Sequence, residues 1–461
     1  MSGTINFGGL ASGLDTDAII EAMVEVRKTA ILDPITEKKD TLTEKKTQLE
    51  LIQSTLQDLR DAAKKLYDPL DKLWGGKTGS SSDETSISFN STSSSAIAGS
   101  YVISDVSQLA QADRVIFNGV ADKDSSNYGS GTVSITYKGT TTSFEIDSTM
   151  SLEDISDTIN AEEMGVTASI VNDGGATPYR LVLTADDTGS DTTITHNINS
   201  ILSLTVDSAA SSSAENEGAD ASFKVNGISV TSASNIIEDV IEGVSFTLNE
   251  ENTTSSTTIS ISKDTDSIET AISNLVDQFN VAKEAIKTAI SYDVENEEYG
   301  PLGHDLTLSS ASTRIESTLI DYVQELSGYD IKSLADIGIT TNTDGEMELD
   351  TEILSSALSS DLTNVKLLFK GNDTFDGIAE NVYNFLDELA STGGTMDDNM
   401  DNIAEDILDL EAAYTSKEES ISDYEDYLSV KFAAMEAAIE SLKSTQTAID
   451  SFISAFENSG N

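Results

Sequence analysis

The chain has no cysteine among its 461 residues. That excludes disulfides, thiolate metal sites and cysteine nucleophiles. Histidine is nearly absent: His196 and His304 are the only two. Neither sits beside a recognisable partner motif, so acid–base work by imidazole has no support. Positive charge is scarce, with 26 Lys and Arg against 81 Asp and Glu and a formal net charge of −55. Nucleic acid is excluded as a partner on that ground, because phosphate binding needs clustered Lys and Arg. No stretch approaches the ~20 consecutive apolar residues of a membrane span, so membrane insertion is not expected. Met1 to Leu10 carries no basic n-region and no apolar run follows it, so the general secretory route is not supported.

Recognisable site chemistry is missing as well. Gly75-Gly76-Lys77-Thr78 resembles the end of a phosphate-binding loop, but Asp71 stands where that loop needs its first glycine, and a helical pattern precedes it instead of a strand. Asn342-Thr-Asp-Gly-Glu346 resembles the middle of a calcium loop. The first and twelfth positions of that loop would be Thr340 and Thr351, which lack the carboxylates of a tight site, so a hairpin turn is the better reading. No catalytic residues, metal ligands or cofactor are expected, and the enzyme reading has no positive support.

What is present is a repeat at the two ends. Ile35, Leu42, Leu49, Leu56, Ala63 and Leu70 recur every seven residues, with Ile52, Leu59, Leu66 and Leu73 in a companion register. Near the other end Ile407, Tyr414, Ile421, Leu428, Met435, Leu442, Ile449 and Phe456 do the same without a miss. A sustained seven-residue repeat predicts helices that keep one seam against a partner. The companion positions of the C-terminal stripe are weaker, because Lys417, Lys431 and Thr445 interrupt Leu410, Tyr424, Ala438 and Phe452. An amphipathic helix packed on its own domain is the alternative. Charge differs between the ends. Residues 1–80 hold 11 basic and 13 acidic residues, while residues 401–461 hold 14 acidic residues and three lysines. A nearly neutral arm beside an acidic one suits pairing through flanking charges. The acidity is also consistent with a high-salt habitat, where charge is screened. Complete folding and assembly in low-salt buffer would count against that idea.

Between the ends the period changes. Asp15 or Thr16 caps a helix with an apolar face of Ile19, Ile20, Met23, Val24 and Val26, and Pro34 punctuates the chain before a long helix reaching about residue 68. Residues 75–100 form a Gly/Ser/Thr tract, a loop or strand lead-in. Strands are expected at 101–103, 133–137, 144–146, 166–171, 181–183, 244–248 and 258–262, with one short helix at 152–160. Asn226-Gly227 between alternating apolar residues predicts a hairpin. Helical periodicity returns at 265–291 and 308–323, with short helices near 351–358 and 376–390. The expected fold is therefore an α+β multidomain chain. Terminal coiled-coil helices and a helical leg domain are formed by both ends, and two nested β-rich domains are inserted between them. The expected boundaries are 1–43 with 379–461 for the arms, 44–78 with 265–378 for the leg, 79–118 with 218–264 for the first β domain and 119–217 for an outer head.

Several segments carry a family resemblance. Phe7-Gly-Gly-Leu-Ala-Ser-Gly-Leu-Asp-Thr-Asp-Ala-Ile-Ile20 is similar to the opening of the bacterial flagellar filament cap proteins, also called flagellar hook-associated protein 2, with Gly9, Leu10, Ala11, Ser12, Gly13, Leu14, Asp15 and Thr16 as the motif. Tyr101-Val-Ile103 with Gln108-Leu-Ala110, Val225-Asn-Gly227, Asn235 to Val244, Asp264 to Asn280 and Ser333 to Ile339 resemble later parts of the family in the same order. Lys431-Phe-Ala-Ala-Met435 resembles its C-terminal signature, with Lys where Arg is expected, and residues 131–195 look like the repeat shared by flagellin and hook-associated proteins. The resemblance implies a structural cap at the distal tip of the filament, a ring-like homo-oligomer that retains exported flagellin and promotes its polymerisation. It implies contact with flagellin and hook–filament junction proteins, an export chaperone on the C-terminal helix, and extracellular placement by the flagellar type III pathway without a cleaved signal peptide. The seam expected to serve arm packing and assembly is Leu49, Ile52, Leu56, Leu59 and Leu66 with Ile407, Tyr414, Ile421, Leu428, Met435, Leu442, Ile449 and Phe456. The competing reading is an acidic coiled-coil surface adhesin that presents a β-rich head.

Overall fold

The fold is that of a computed structural model, which describes residues 12–68, 70, 72–212, 216–293 and 298–459. Asp15 Oδ1 accepts the Ala18 N–H at 3.0 Å and starts α1 (Thr16–Ile31), as expected for a short acidic side chain at a helix N-terminus. Only Ile20 and Val24 of its expected apolar face are buried, and Met23 and Val26 are exposed. Pro34 sits in the first turn of α2 (Asp33–Tyr67), where its missing N–H costs nothing. Helix α2 ends at Tyr67 because Asp68 precedes a proline, which disfavours helical backbone at that residue. The seven-residue stripe therefore overran the helix: Leu70 lies in a turn and is 71% exposed.

The chain divides into two compact units, residues 1–69 with 265–461 and residues 70–264. The second unit contains two apolar cores. One lies between the five-stranded sheet β1 (Lys77–Ser81), β14 (Asn252–Lys263), β3 (Gly99–Gln108), β10 (Ala221–Val225), β11 (Ile228–Ser232) and the three-stranded sheet β12 (Ile236–Ile241), β13 (Val244–Leu248), β2 (Ile87–Thr92). Ile103, Phe223, Phe246 and Ile259 fill it, and the two phenylalanine rings meet edge to face at 6.1 Å. Strands β1 and β2 fall in the Gly/Ser/Thr tract. They become strands because β14 and β13, far away in sequence, supply their partners. The β10–β11 turn has Asn226 at φ 49° and Gly227 at φ 84°, as the hairpin signal requires.

The other core joins β4 (Arg114–Ile116), β8 (Tyr179–Ala185) and β7 (Val166–Asn172) with β6 (Thr140–Ile146), β5 (Gly131–Tyr137) and β9 (Thr195–His196). Helix α3 (Leu152–Ala161) opens on a Ser151/Asp154 capping box and buries Leu152, Ile155 and Ile159. Two short turns, α4 (Ile198–Ile201) and α5 (Ser208–Ser211), complete it. The carboxylate of Asp113 is buried where the chain passes between the cores, and it accepts the Ile194 N–H at 2.6 Å.

The chain returns to the first unit through α6 (Thr265–Ile290) and α7 (Leu306–Ile320). A hairpin pairs residues 339–341 with 347–349, and Asn342 Oδ1 accepts the N–H groups of Asp344 and Glu346 at its turn. The stretch resembling a calcium loop is this turn. Helix α8 (Thr351–Lys370) is longer than the expected eight-residue helix. Asp361 leaves helical geometry at φ −148°, and its Oδ1 accepts the Asn364 N–H, restarting the helix after the break. Helices α9 (Ile378–Ala390) and α10 (Thr395–Ser459) finish the chain.

Candidate functional site: the antiparallel terminal arm

The two ends of the chain lie side by side within the first unit. A ladder of contacts fixes their direction. Ser12 meets Glu436, the Arg27 guanidinium lies 4.4 Å from the centre of the Tyr424 ring, and Lys39 pairs with Glu411 at 3.6 Å. As one residue number rises the other falls, so α1 and α2 run antiparallel to α10. Pairing of the near-neutral end with the acidic end is visible in these contacts.

The expected seam residues differ in how far they are covered. Leu49, Ile52, Leu56, Leu59 and Leu66 are fully buried on α2, which packs against α6 and α9 as well as α10. Ile421 and Leu428 are buried on α10 and form a small cluster with Ile20, Val24 and Leu32, edged by Tyr414, Tyr424 and Phe432. Ile407, Tyr414 and Met435 are half-buried, while Leu442 and Ile449 are 69% and 53% exposed. The helix continues through Phe456, whose side chain lies outside the described residues. In the N-terminal motif Gly9, Leu10 and Ala11 lie outside the described residues. Ser12 is half-buried, Gly13 takes φ +75°, Leu14 is exposed, Asp15 caps α1 and Thr16 is buried.

Along α10 the main seven-residue register stays on the covered face through Met435, and only its companion register leaves it. Beyond Ile421 the covered positions are Tyr424, Leu428, Phe432, Met435 with Glu436, and Ile439, a spacing of about 3.6 residues. A straight helix drifts ~20° per heptad from a strict seven-residue repeat. The companion position Lys431 is therefore exposed and its neighbour Phe432 takes the inward place. Glu436, Arg27 and Phe432 went unrecognised in the sequence; a 3.6-residue period applied to this stretch finds Phe432 and Glu436.

The residues considered for chemistry remain isolated. Burial holds the His196 imidazole below its ordinary pKa, and the ring packs 5.2 Å from that of Phe117. Gly75–Thr78 runs into strand β1, so no helix N-terminus follows it to hold a phosphate. Among the described residues no group of His, Asp and Glu is placed to hold a metal ion, and no helix is long and apolar enough to cross a membrane.

Comparison with known proteins decides the family. The N-terminal sequence profile of flagellar hook-associated protein 2 matches residues 12–113, and its C-terminal profile matches residues 218–444. The chain belongs to the flagellar hook-associated protein 2 family. A flagellin hook IN motif matches residues 132–187, inside the stretch that resembled the flagellin repeat. Flagellar hook-associated protein 2 of Escherichia coli K12 is 29% identical over 415 residues, 84% of each chain. The A-type protein of Pseudomonas aeruginosa is 28% identical over 349 residues, covering 70% of this chain and 71% of its own. The crystal structure of the D1–D2–D3 domains of the flagellar cap protein FliD from Escherichia coli has a TM-score of 0.61 at 29% identity, covering 77% of this chain and 99% of that one. The α+β multidomain class is therefore correct for this member of the hook-associated protein 2 family, which is a family of structural flagellar proteins. The adhesin alternative finds no support in these relatives.

Proposed function

We propose that this chain caps the distal tip of a bacterial flagellar filament, retaining exported flagellin and promoting its polymerisation as the filament elongates. The observation that carries this reading is the arm. Both ends of the chain build one antiparallel helical arm, and α10 runs on past Ser12 with Leu442, Ile449 and Ile453 exposed along it. An apolar stripe on an otherwise polar surface marks a place for another protein. The likeness to the Escherichia coli cap protein supports the same conclusion.

The finer parts of the proposal follow from this. The chain acts as a ring-like homo-oligomer through contacts and not through covalent chemistry. Its partners are its own copies, flagellin and the hook–filament junction proteins, and the distal stripe of α10 with Leu442 and Ile449 is its assembly seam. An export chaperone covers the C-terminal helix in the cytosol, since an uncovered stripe invites aggregation. Export follows the flagellar type III pathway without a cleaved signal peptide. The four-part layout of arms, leg, inner β domain and outer head is proposed as well; the two separate cores of the β unit support its inner division. Deleting the gene tests the cap reading. Flagellin released as soluble monomer from cells without filaments is the expected result, and filaments of normal length would refute it.

A further inference from the structure

We propose that the half-open groove between α2 and α10 receives the distal α10 stripe of a second copy, so that copies join head to tail. The proposal rests on the reading that this stripe is the assembly seam, and it names the surface that takes it. Between the α1 contact and the sealed part of α2, the two helices cover each other's stripes only in part. Ile35 and Leu42 on α2 are half-buried, and so are Ile403, Leu410 and Tyr414 on α10. Two hollows open there. One of about 450 Å³ is lined by Ile35, Lys39, Leu410 and Tyr414, and one of about 650 Å³ by Leu42, Lys45, Leu49 and Ile403. The lining positions are spaced by three, four or seven along each helix, so both hollows lie on one face. Two antiparallel helices with an open apolar groove lack the third helix that would complete a bundle.

The chain cannot fill this groove itself. Helix α10 is unbroken from Thr395 to Ser459, so its own Leu442 lies about 42 Å along the axis from Tyr414. The eleven residues before Ser12 are tethered beside Glu436. Fully extended they span at most ~40 Å, and Ile403 is about 50 Å away along the helix. A second copy brings a helix that fits. Leu442, Ile449 and Ile453 are exposed and are spaced by seven and four residues, which puts them on one face. They span about 17 Å, against about 21 Å from Ile35 to Leu49. Charge selects the same segment. A chain of net charge −55 repels its copies. Residues 401–426 hold ten acidic residues and one lysine, but between 437 and 455 the only charges are Glu440, Lys443 and Asp450. Lys45 at the groove is half-buried and has no ion pair among the described residues, so it can receive Glu440 or Asp450. A groove on one copy and a stripe on the next make a heterologous contact, the kind that can close into a ring.

The absence of cysteine makes the test clean. Thr36→Cys marks the groove and Ser444→Cys marks the tail, and both positions are exposed. The two full-length single-cysteine chains are mixed over a concentration series and treated with a short bis-maleimide. A groove–tail dimer is expected, identified by the mass of its cross-linked peptides. Adding Leu442→Asp to the tail chain should cut its yield about tenfold, because the stripe then carries a charge into an apolar groove. The melting midpoint of that chain should stay unchanged, since the position is exposed. No groove–tail product at any concentration overturns the proposal, and so does a yield untouched by Leu442→Asp. A groove label that reacts only with added flagellin makes flagellin the occupant and overturns it too. The cap reading is judged separately, by where flagellin goes when the gene is deleted.

Discussion

Helices α2 and α10 carry the same seven-residue apolar pattern and use it in opposite ways. On α2 the stripe from Leu49 to Leu66 is sealed, because α6, α9 and α10 all pack on it. On α10 the stripe is buried only at Ile421 and Leu428, where α1 lies, and is open at Leu442 and Ile449. Periodicity names the face a helix wants covered. It does not name what covers it, and that depends on how many neighbours the fold brings. The sealed half belongs to the stable body of the unit, and the open half is available to a partner.

The sharpest way to break this contrast is Leu59→Ala in the sealed half. It should destabilise the helical unit by about 2–5 kcal/mol, the usual range for emptying a filled core position. The one tryptophan, Trp74, lies in the β unit. Its fluorescence should therefore hold its midpoint while the helical circular-dichroism signal moves to lower denaturant. A joint shift of both signals would show that the two units do not unfold separately.

Leu428→Asp is the next largest. It places an unpaired carboxylate in the small α1–α10 cluster, at a cost of about 1–3 kcal/mol or more. The expected outcome is local: amide protection falls across Thr16–Ile31 while the leg keeps its midpoint. Undiminished protection of α1 would remove residue 428 from the seam. Lys39→Ala should matter less, by under ~1 kcal/mol, since its pair with Glu411 is solvent-exposed and screened by salt. A double-mutant cycle with Glu411→Ala at low and high salt measures that term. Leu442→Ala is expected to be neutral, within about 0.5 kcal/mol in the free chain. A cost near that of Leu59→Ala would mean that the stripe is covered before any partner arrives, and the contrast between the two halves would fall.

Much of the fold was legible. Helix positions followed from apolar spacing, the β10–β11 turn from Asn226-Gly227, and the start of α1 from Asp15. These signals are local, set by backbone sterics and by hydrogen bonds a few residues long. The misses were of another kind. Strands β1 and β2 are poor in apolar residues and exist because distant strands pair with them. The ends of α2 and α8 depend on Asp68 before a proline and on Asp361 restarting a helix, both read too loosely from periodicity. On α10 the companion positions counted by sevens, Lys431 and Ala438, are exposed, and Phe432 takes the inward place instead.

By itself the sequence determined the helical ends and β-rich middle, the absence of thiol chemistry, the acidic character and the family motifs. Each depends on residue identity or on short-range order along the chain. Only the tertiary structure decided which half of each stripe is sealed, and that Ser12 and Glu436 meet. Burial is a property of neighbours, and those neighbours stand hundreds of residues apart until the chain folds back on itself.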